Sequence, residues 1–152
     1  MKKIAVLTDS GSGISQTEAK EMGIFVLPLL VMVEGKTYKD GEELQLDELY
    51  TMLIEKKHPK TSTPLYQSIE NMLVKIKNLG YTDVIALPLT SGLSSTFQSI
   101  TIAAQEVNID LHLVDVYSTC MIQNHCAKYA QDLVNQGKSA DEIVGELNRI
   151  VA

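Results

Sequence analysis

Three short apolar runs frame this chain: Ile4-Ala5-Val6-Leu7, the longer stretch from Ile24 to Val33, and Val84-Ile85-Ala86-Leu87. They are continuously apolar rather than alternating, the pattern of strands covered on both faces. Leu111-His112-Leu113-Val114-Asp115 gives a further strand. Between the strands the spacing switches to that of helices. Leu46, Leu49, Tyr50, Leu53 and Ile54 predict an amphipathic helix over 47–57, and Ile69, Met72, Leu73 and Ile76 predict another. Ser15-Gln16-Thr17-Glu18 is a capping box, so a helix is expected to start near Gln16 and to stop at Gly23. Helices are also expected over 95–107, 120–135 and 141–151, the last behind a second capping box, Ser139-Ala140-Asp141-Glu142. Glu34-Gly35-Lys36 reads as a turn, with Thr37-Tyr38-Lys39 returning as a short hairpin arm.

Strand and helix therefore alternate along one domain, residues 1–152. The expected fold class is α/β: a three-layer α/β/α sandwich around a mainly parallel sheet. Ligands of such sheets bind beyond the carboxyl ends of the strands. Three loops qualify by position: Thr8 to Gly13, Thr90 to Ser95, and Asp115 to Thr119.

Composition narrows the function. The 152 residues are 45% hydrophobic and 21% charged, the balance of a globular chain. Net charge is −6, which argues against a nucleic-acid partner, since that needs a basic face. No apolar run reaches the roughly 20 residues of a membrane helix, and Asp9 cuts short the run after Met1-Lys2-Lys3, unlike a signal peptide. A cytoplasmic location is expected. Cys120 and Cys126, six apart on an expected helix, fit reduced structural thiols better than a disulfide or a zinc site. His58, His112 and His125 form no metal-ligand pattern, and neither metal nor cofactor is expected.

The densest chemistry lies after the Val84 strand. Residues 88–99 read Pro-Leu-Thr-Ser-Gly-Leu-Ser-Ser-Thr-Phe-Gln-Ser, six hydroxyls in twelve positions, and run into a helix. A strand that turns into a helix through hydroxyl residues aims free N–H groups and O–H groups at one place, which favours an anion. Thr61-Ser62-Thr63-Pro64 repeats the character ahead of another helix. Helix capping explains one residue in each cluster but not three or more. Neither cluster contains a basic side chain, so the expectation is an anionic head group held by neutral donors.

Enzymatic readings fit less well. Asp9-Ser10-Gly11-Ser12-Gly13 lacks the third glycine of a dinucleotide loop and the Gly-Lys-Ser/Thr of a phosphate loop; a flexible turn or a pocket lining is the plainer account. Gly92-Leu93-Ser94-Ser95-Thr96 is only loosely a nucleophile elbow, and His112, near the start of its strand, is at the wrong end of the sheet to serve it. The enzyme alternative is a phosphotransferase or hydrolase using Asp9 or Ser94. A third reading is a domain that assembles only with a partner chain.

In combination and order, Thr8-Asp9-Ser10, Val26-Leu27-Pro28-Leu29, Tyr38-Lys39-Asp40-Gly41, Thr61-Ser62-Thr63-Pro64 and Leu93-Ser94-Ser95-Thr96-Phe97-Gln98-Ser99 are specific. The chain resembles the DegV family of fatty-acid-binding proteins over essentially its whole length. The resemblance implies a two-domain α/β protein that encloses a long-chain fatty acid and, in bacteria, presents its carboxylate to a separate fatty acid kinase. It implies that the carboxylate is held by Thr61 or Ser62 and by Ser94, with Ser91 and Thr63 as further donors, and that the protein is not itself an enzyme. Ile14, Leu29, Leu65 and Phe97 are candidates for the acyl-chain wall or for ordinary core. The family pattern usually has Gln and Ser where Thr63 and Leu65 stand, Gly where Ser95 stands, and Ser where Val116 stands. Family members are nearly twice as long, so the resemblance is to the amino-terminal domain alone. An apolar face left uncovered by a second domain makes a homodimer an expected arrangement.

Overall fold

In a computed structural model, the structure describes residues 2–40, 48, 51, 54–55, 60–62, 64–88, 96–115 and 121–151, with only the backbone for 60–62 and 121. The central sheet contains β1 (Ile4–Asp9), β2 (Phe25–Leu27), β6 (Asp83–Leu87) and β7 (Asp110–Leu113) in the order β2-β1-β6-β7, every neighbour parallel. Helices α1 (Gln16–Met22), α2 (Tyr66–Asn78), α3 (Thr96–Val107), α4 (Met121–Asn135) and α5 (Ala140–Val151) cover it.

The apolar strands divide their side chains between two cores, because successive residues point to opposite faces. Ala5, Leu7, Val84 and Ala86 pack against Ile69, Leu73 and Ile76 of α2 and Ile100, Ala103 and Ala104 of α3. Val6, Ile85 and Leu87 pack on the other side against Cys126, Ala127 and Ala130 of α4 and Ile143 and Leu147 of α5. The three-layer sandwich is thus the expected one, and the spacing of Ile69, Leu73 and Ile76, all fully buried, is what docks α2. Among the described residues no helix is long and apolar enough to cross a membrane.

Local signals acted as read. Ser15 Oγ accepts from Glu18 N at 3.0 Å, and Ser139 Oγ from Glu142 N at 3.2 Å. Gly23 takes φ +81° and ends α1, with Ile24 N donating to Ala19 O. Glu34 (φ +50°) and Gly35 (φ +79°) make the left-handed pair that a two-residue hairpin needs. Of the described residues within the expected helix over 47–57, Glu48, Thr51 and Ile54 are helical and Glu55 is a turn.

One expectation changes. Ile24 to Val33 is two strands in two sheets, not one. The run breaks at Pro28, which has no N–H to extend a ladder. Leu29 N donates instead to Ser10 Oγ at 2.9 Å. The chain then enters an antiparallel sheet of β4 (Lys36–Lys39), β3 (Leu30–Val33) and β5 (Lys60–Ser62). The Thr61 cluster, read as a helix lead-in, is also an edge strand of this second sheet, with Ser62 opposite Leu30 and Thr61 opposite Val31.

Candidate functional site

The parallel sheet gives the molecule two unlike edges. Each helix that returns across a parallel sheet starts where a strand ends. α1, α3 and α4 follow β1, β6 and β7, and α2 runs back to the start of β6, so all four begin at the carboxyl edge of the sheet. Their N-terminal N–H groups bring the positive ends of four helix dipoles to that edge.

The antiparallel sheet hangs from the same edge. β2 ends at Leu27 and β3 begins at Leu30. Ladder pairing to β3 brings the backbone of Thr61 and Ser62 there, and Pro64, buried, and Leu65 lead on into α2. Leu87, where β6 ends, is paired with Thr8 of β1. The strand carrying Thr61 and Ser62 and the exit of the strand before the Thr90–Ser95 turn therefore belong to one edge. Thr63, Ser91 and Ser94 lie outside the described residues.

The four wall candidates fall into two pairs. Ile14 and Leu29 are each 3% exposed, and Ile14 belongs to the core beneath α4. Leu65, 49% exposed at the N-cap of α2, and Phe97, half-buried in the first turn of α3, keep surface to offer. Ile122, in the first turn of α4, is also exposed. Helix starts normally carry polar residues, so exposed or half-buried apolar side chains at three of them are a departure from that habit.

Beneath this edge is a polar knot with no counterpart in the sequence reading. Gln123 of α4 is fully buried. Its Nε2 donates to Thr8 Oγ1 at 2.9 Å, Asp9 Oδ1 at 2.9 Å and the Leu87 carbonyl at 3.0 Å. Thr8 Oγ1 donates in turn to the Leu87 carbonyl at 2.7 Å. Asp9, also fully buried, accepts from Gly11 N at 3.0 Å, and Asn124 Nδ2 holds the Ser12 carbonyl at 3.0 Å. A signal for Gln123 existed: with Cys126, Ala127 and Ala130 it completes the core-facing stripe of its helix, so a long amide sits where an apolar residue is expected.

The other polar centre lies at the opposite, amino edge. Asp83, 1% exposed, accepts from Thr82 Oγ1 at 2.7 Å, is 3.0 Å from His112 Nε2 and 3.7 Å from Lys2 Nζ. Burial alone would raise its pKa, but the hydrogen bonds from Thr82 and His112 and the charge of Lys2 outweigh it and hold the carboxyl below its usual range. His112 is thus committed far from the carboxyl edge, and His125 is exposed on α4. Cys126 is a free buried thiol whose pKa burial pushes up, and Cys120 lies outside the described residues. No group of three or more His, Cys, Asp or Glu that could hold a metal ion occurs among the described residues.

A parallel sheet with helices on both faces, four helix starts at its carboxyl edge and a small antiparallel sheet attached at that edge defines an α/β sandwich domain. Residues 3–152 match the DegV family, described as uncharacterised protein, and the chain belongs to it. A DegV domain-containing protein of Listeria innocua is 31% identical over 151 residues, 98% of this chain and 53% of that one. Among solved structures, DegV of Bacillus subtilis, described as a fatty acid binding protein, superposes with a TM-score of 0.91 at 30% identity over 99% of this chain and 54% of that one. A DegV family protein of Thermus thermophilus, described by its fatty acid binding, gives 0.85 at 28% identity, covering 98% and 53%. The chain spans about half the length of the curated relatives it matches.

Proposed function

We propose that this chain is the head-group half of a bacterial, cytoplasmic fatty-acid-binding protein, without catalysis of its own. Thr61 or Ser62 and Ser94 donate hydroxyl hydrogen bonds to the acyl carboxylate, with Ser91 and Thr63 as further donors. Leu65 and Phe97 line the acyl chain, with Ile14 and Leu29 behind them. The bound carboxylate is offered to a fatty acid kinase. The observation that carries this reading is the gathering of the Thr61–Ser62 strand, the end of β6 and four helix starts at one edge of a fold shared with proteins described as binding fatty acids.

Magnitudes say what half a protein can do. A buried CH₂ is worth about 0.8 kcal/mol, so a ~16-carbon tail offers on the order of 10 kcal/mol. Each hydroxyl-to-carboxylate bond adds roughly 1.5–3 kcal/mol. The tail sets affinity and the hydroxyls set orientation. With one domain's worth of wall, the chain binds palmitate weakly as a monomer, or tightly only when a second copy or another chain closes the groove.

Native mass spectrometry of the purified chain tests the class of ligand: an acyl chain co-purifying is the expected result. Calorimetry with palmitate tests the energetics. Submicromolar binding by a strict monomer would contradict the half-wall argument, and no binding to either monomer or dimer would overturn the lipid reading.

A further inference from the structure

The fold gives no reason for Gly145. It stands in the interior of α5, where glycine is the costliest choice after proline. Its backbone is ordinary helix, outside the left-handed region. A methyl group there would meet no atom within 4 Å beyond the backbone of its own helix. Alanine would therefore fit and would hold the helix better. Beside Gly145 runs an open groove of about 580 Å³ between α4 and α5, lined by Tyr129 and Leu133 of α4 and by Gly145, Glu146 and Arg149 of α5. A glycine in such a place lets another backbone come close from outside.

The residues around it say what comes. Ile143 and Leu147 face the core, and Asp141, Glu142, Gly145, Asn148 and Arg149 are exposed. At 3.6 residues per turn these five share an arc of roughly 120°, with Gly145 near its centre. The stripe is acidic at one end and basic at the other. The helix dipole accounts for that order but not for the glycine between. Asp141 and Arg149 lie four residues, about 6 Å, to either side of Gly145. Two such helices crossed antiparallel at Gly145 set each Asp141 opposite the other copy's Arg149, and each Glu142 opposite the other copy's Asn148. The stripe is thus complementary to itself under a two-fold axis. Arg149 Nε and Nη2 are fixed by Glu146 at 3.0 Å each, which leaves Nη1 for a further carboxylate.

We propose that the outer stripe of α5 is a self-association surface, on which a second copy of this chain docks its own α5 antiparallel, crossing at Gly145 with reciprocal Asp141–Arg149 pairs. Tyr129 and Leu133 give the incoming helix an apolar flank. The contact is on the outer face of the α4–α5 layer, so it stands apart from the carboxyl edge and from any ligand bound there. A single helix pair is small for an interface, which puts the dissociation constant at about 10–100 µM.

Sedimentation velocity of the lipid-free chain from roughly 5 to 500 µM should show the mass rising from monomer to dimer across that range. Gly145→Ala should move two readouts in opposite directions. The melting temperature at the lowest concentration should rise by about 2–4 °C, since the helix gains, while association weakens about tenfold or more, since the backbones are held apart. Arg149→Asp should weaken association by a similar factor. Adding Asp141→Arg to it should restore association to within about threefold of the parent, although the exchanged charges oppose the dipole of their own helix. A chain that stays monomeric throughout overturns the proposal, as does a Gly145→Ala variant that associates like the parent. Dimers that persist in every α5 variant overturn it too, because another surface then forms them. Failure of the double variant to recover means that the charges act within one copy, and the antiparallel pairing is wrong.

Discussion

The two edges of the parallel sheet each bury an aspartate, and they use it differently. At the amino edge Asp83 is surrounded by Thr82, His112 and Lys2, and its charge is answered by side chains that sit beside it in space. An open groove of about 280 Å³ lies there, lined by Lys2, His112 and the Ser139–Glu142 cap of α5. At the carboxyl edge Asp9 takes a backbone N–H and the Gln123 amide. The turns around it supply hydroxyls and helix starts but no Lys, Arg or His in 8–13, 61–64, 88–99 or 115–120. One edge has spent its polar groups on holding strands β6 and β7 together. The other uses Gln123, Thr8 and Asp9 to hold the ends of β1 and β6 to the start of α4. A buried charge is therefore poor evidence of function by itself, and what distinguishes the edges is that hydroxyl-rich sequence and four helix starts follow the strands only at the carboxyl one.

That contrast can be broken by exchanging effects between the edges. The largest expected effect is on ligand binding at the carboxyl edge: on the proposed reading, Ser94→Ala combined with alanine at both Thr61 and Ser62 removes two bonds of at least about 1.5 kcal/mol each, so palmitate affinity should fall roughly a hundredfold with little change in stability. Fluorescence displacement and thermal melting on the same samples check both halves. Stability loss without affinity loss would place these hydroxyls in the fold rather than the site.

At the amino edge the expectation reverses. Asp83→Asn keeps shape but loses charge, and should lower stability by about 1–3 kcal/mol while leaving palmitate affinity unchanged. The pH dependence sharpens this. A carboxyl whose folded pKa lies below its unfolded value lends stability above the unfolded value of about 3.9 and loses it as pH falls through the folded one. The gap between parent and Asp83→Asn should therefore be full at pH 5.5 and shrink below about pH 4, as urea melts would report. A gap that widens in acid would mean that Asp83 is held above, not below, its ordinary range.

The smallest expected effect tests neither edge's polar centre but the helix starts themselves. Ser15→Ala removes the cap of α1 and should cost about 1 kcal/mol in a denaturant melt without altering palmitate binding, since α1 contributes no proposed donor. A loss of binding there would extend the site to the start of α1.

Much of this was legible in order along the chain. Apolar runs without alternation predicted strands covered on both sides, and Ala5, Val6, Leu7, Val84, Ile85 and Ala86 are buried on both. The capping residues Ser15 and Ser139 and the stops at Gly23 and Gly35 act within a few residues, so sequence order is enough to read them. The division of Ile24 to Val33 between two sheets was less legible, although Pro28 marked it, because the partner that receives Leu29 N is Ser10, across the strand end.

By itself the sequence determined what is decided over short distances: periodicity, caps, turns, and the enrichment of hydroxyls after one strand. It could not determine which of those turns share an edge, because parallel pairing brings together residues separated by many tens of positions and no local rule counts across that gap. Thr8 meets Leu87 and both meet Gln123 only once β1, β6 and α4 are packed. The same holds for Asp83 and His112. Burial removes water as the alternative partner, so these groups must find one another, and only the tertiary structure says which ones do.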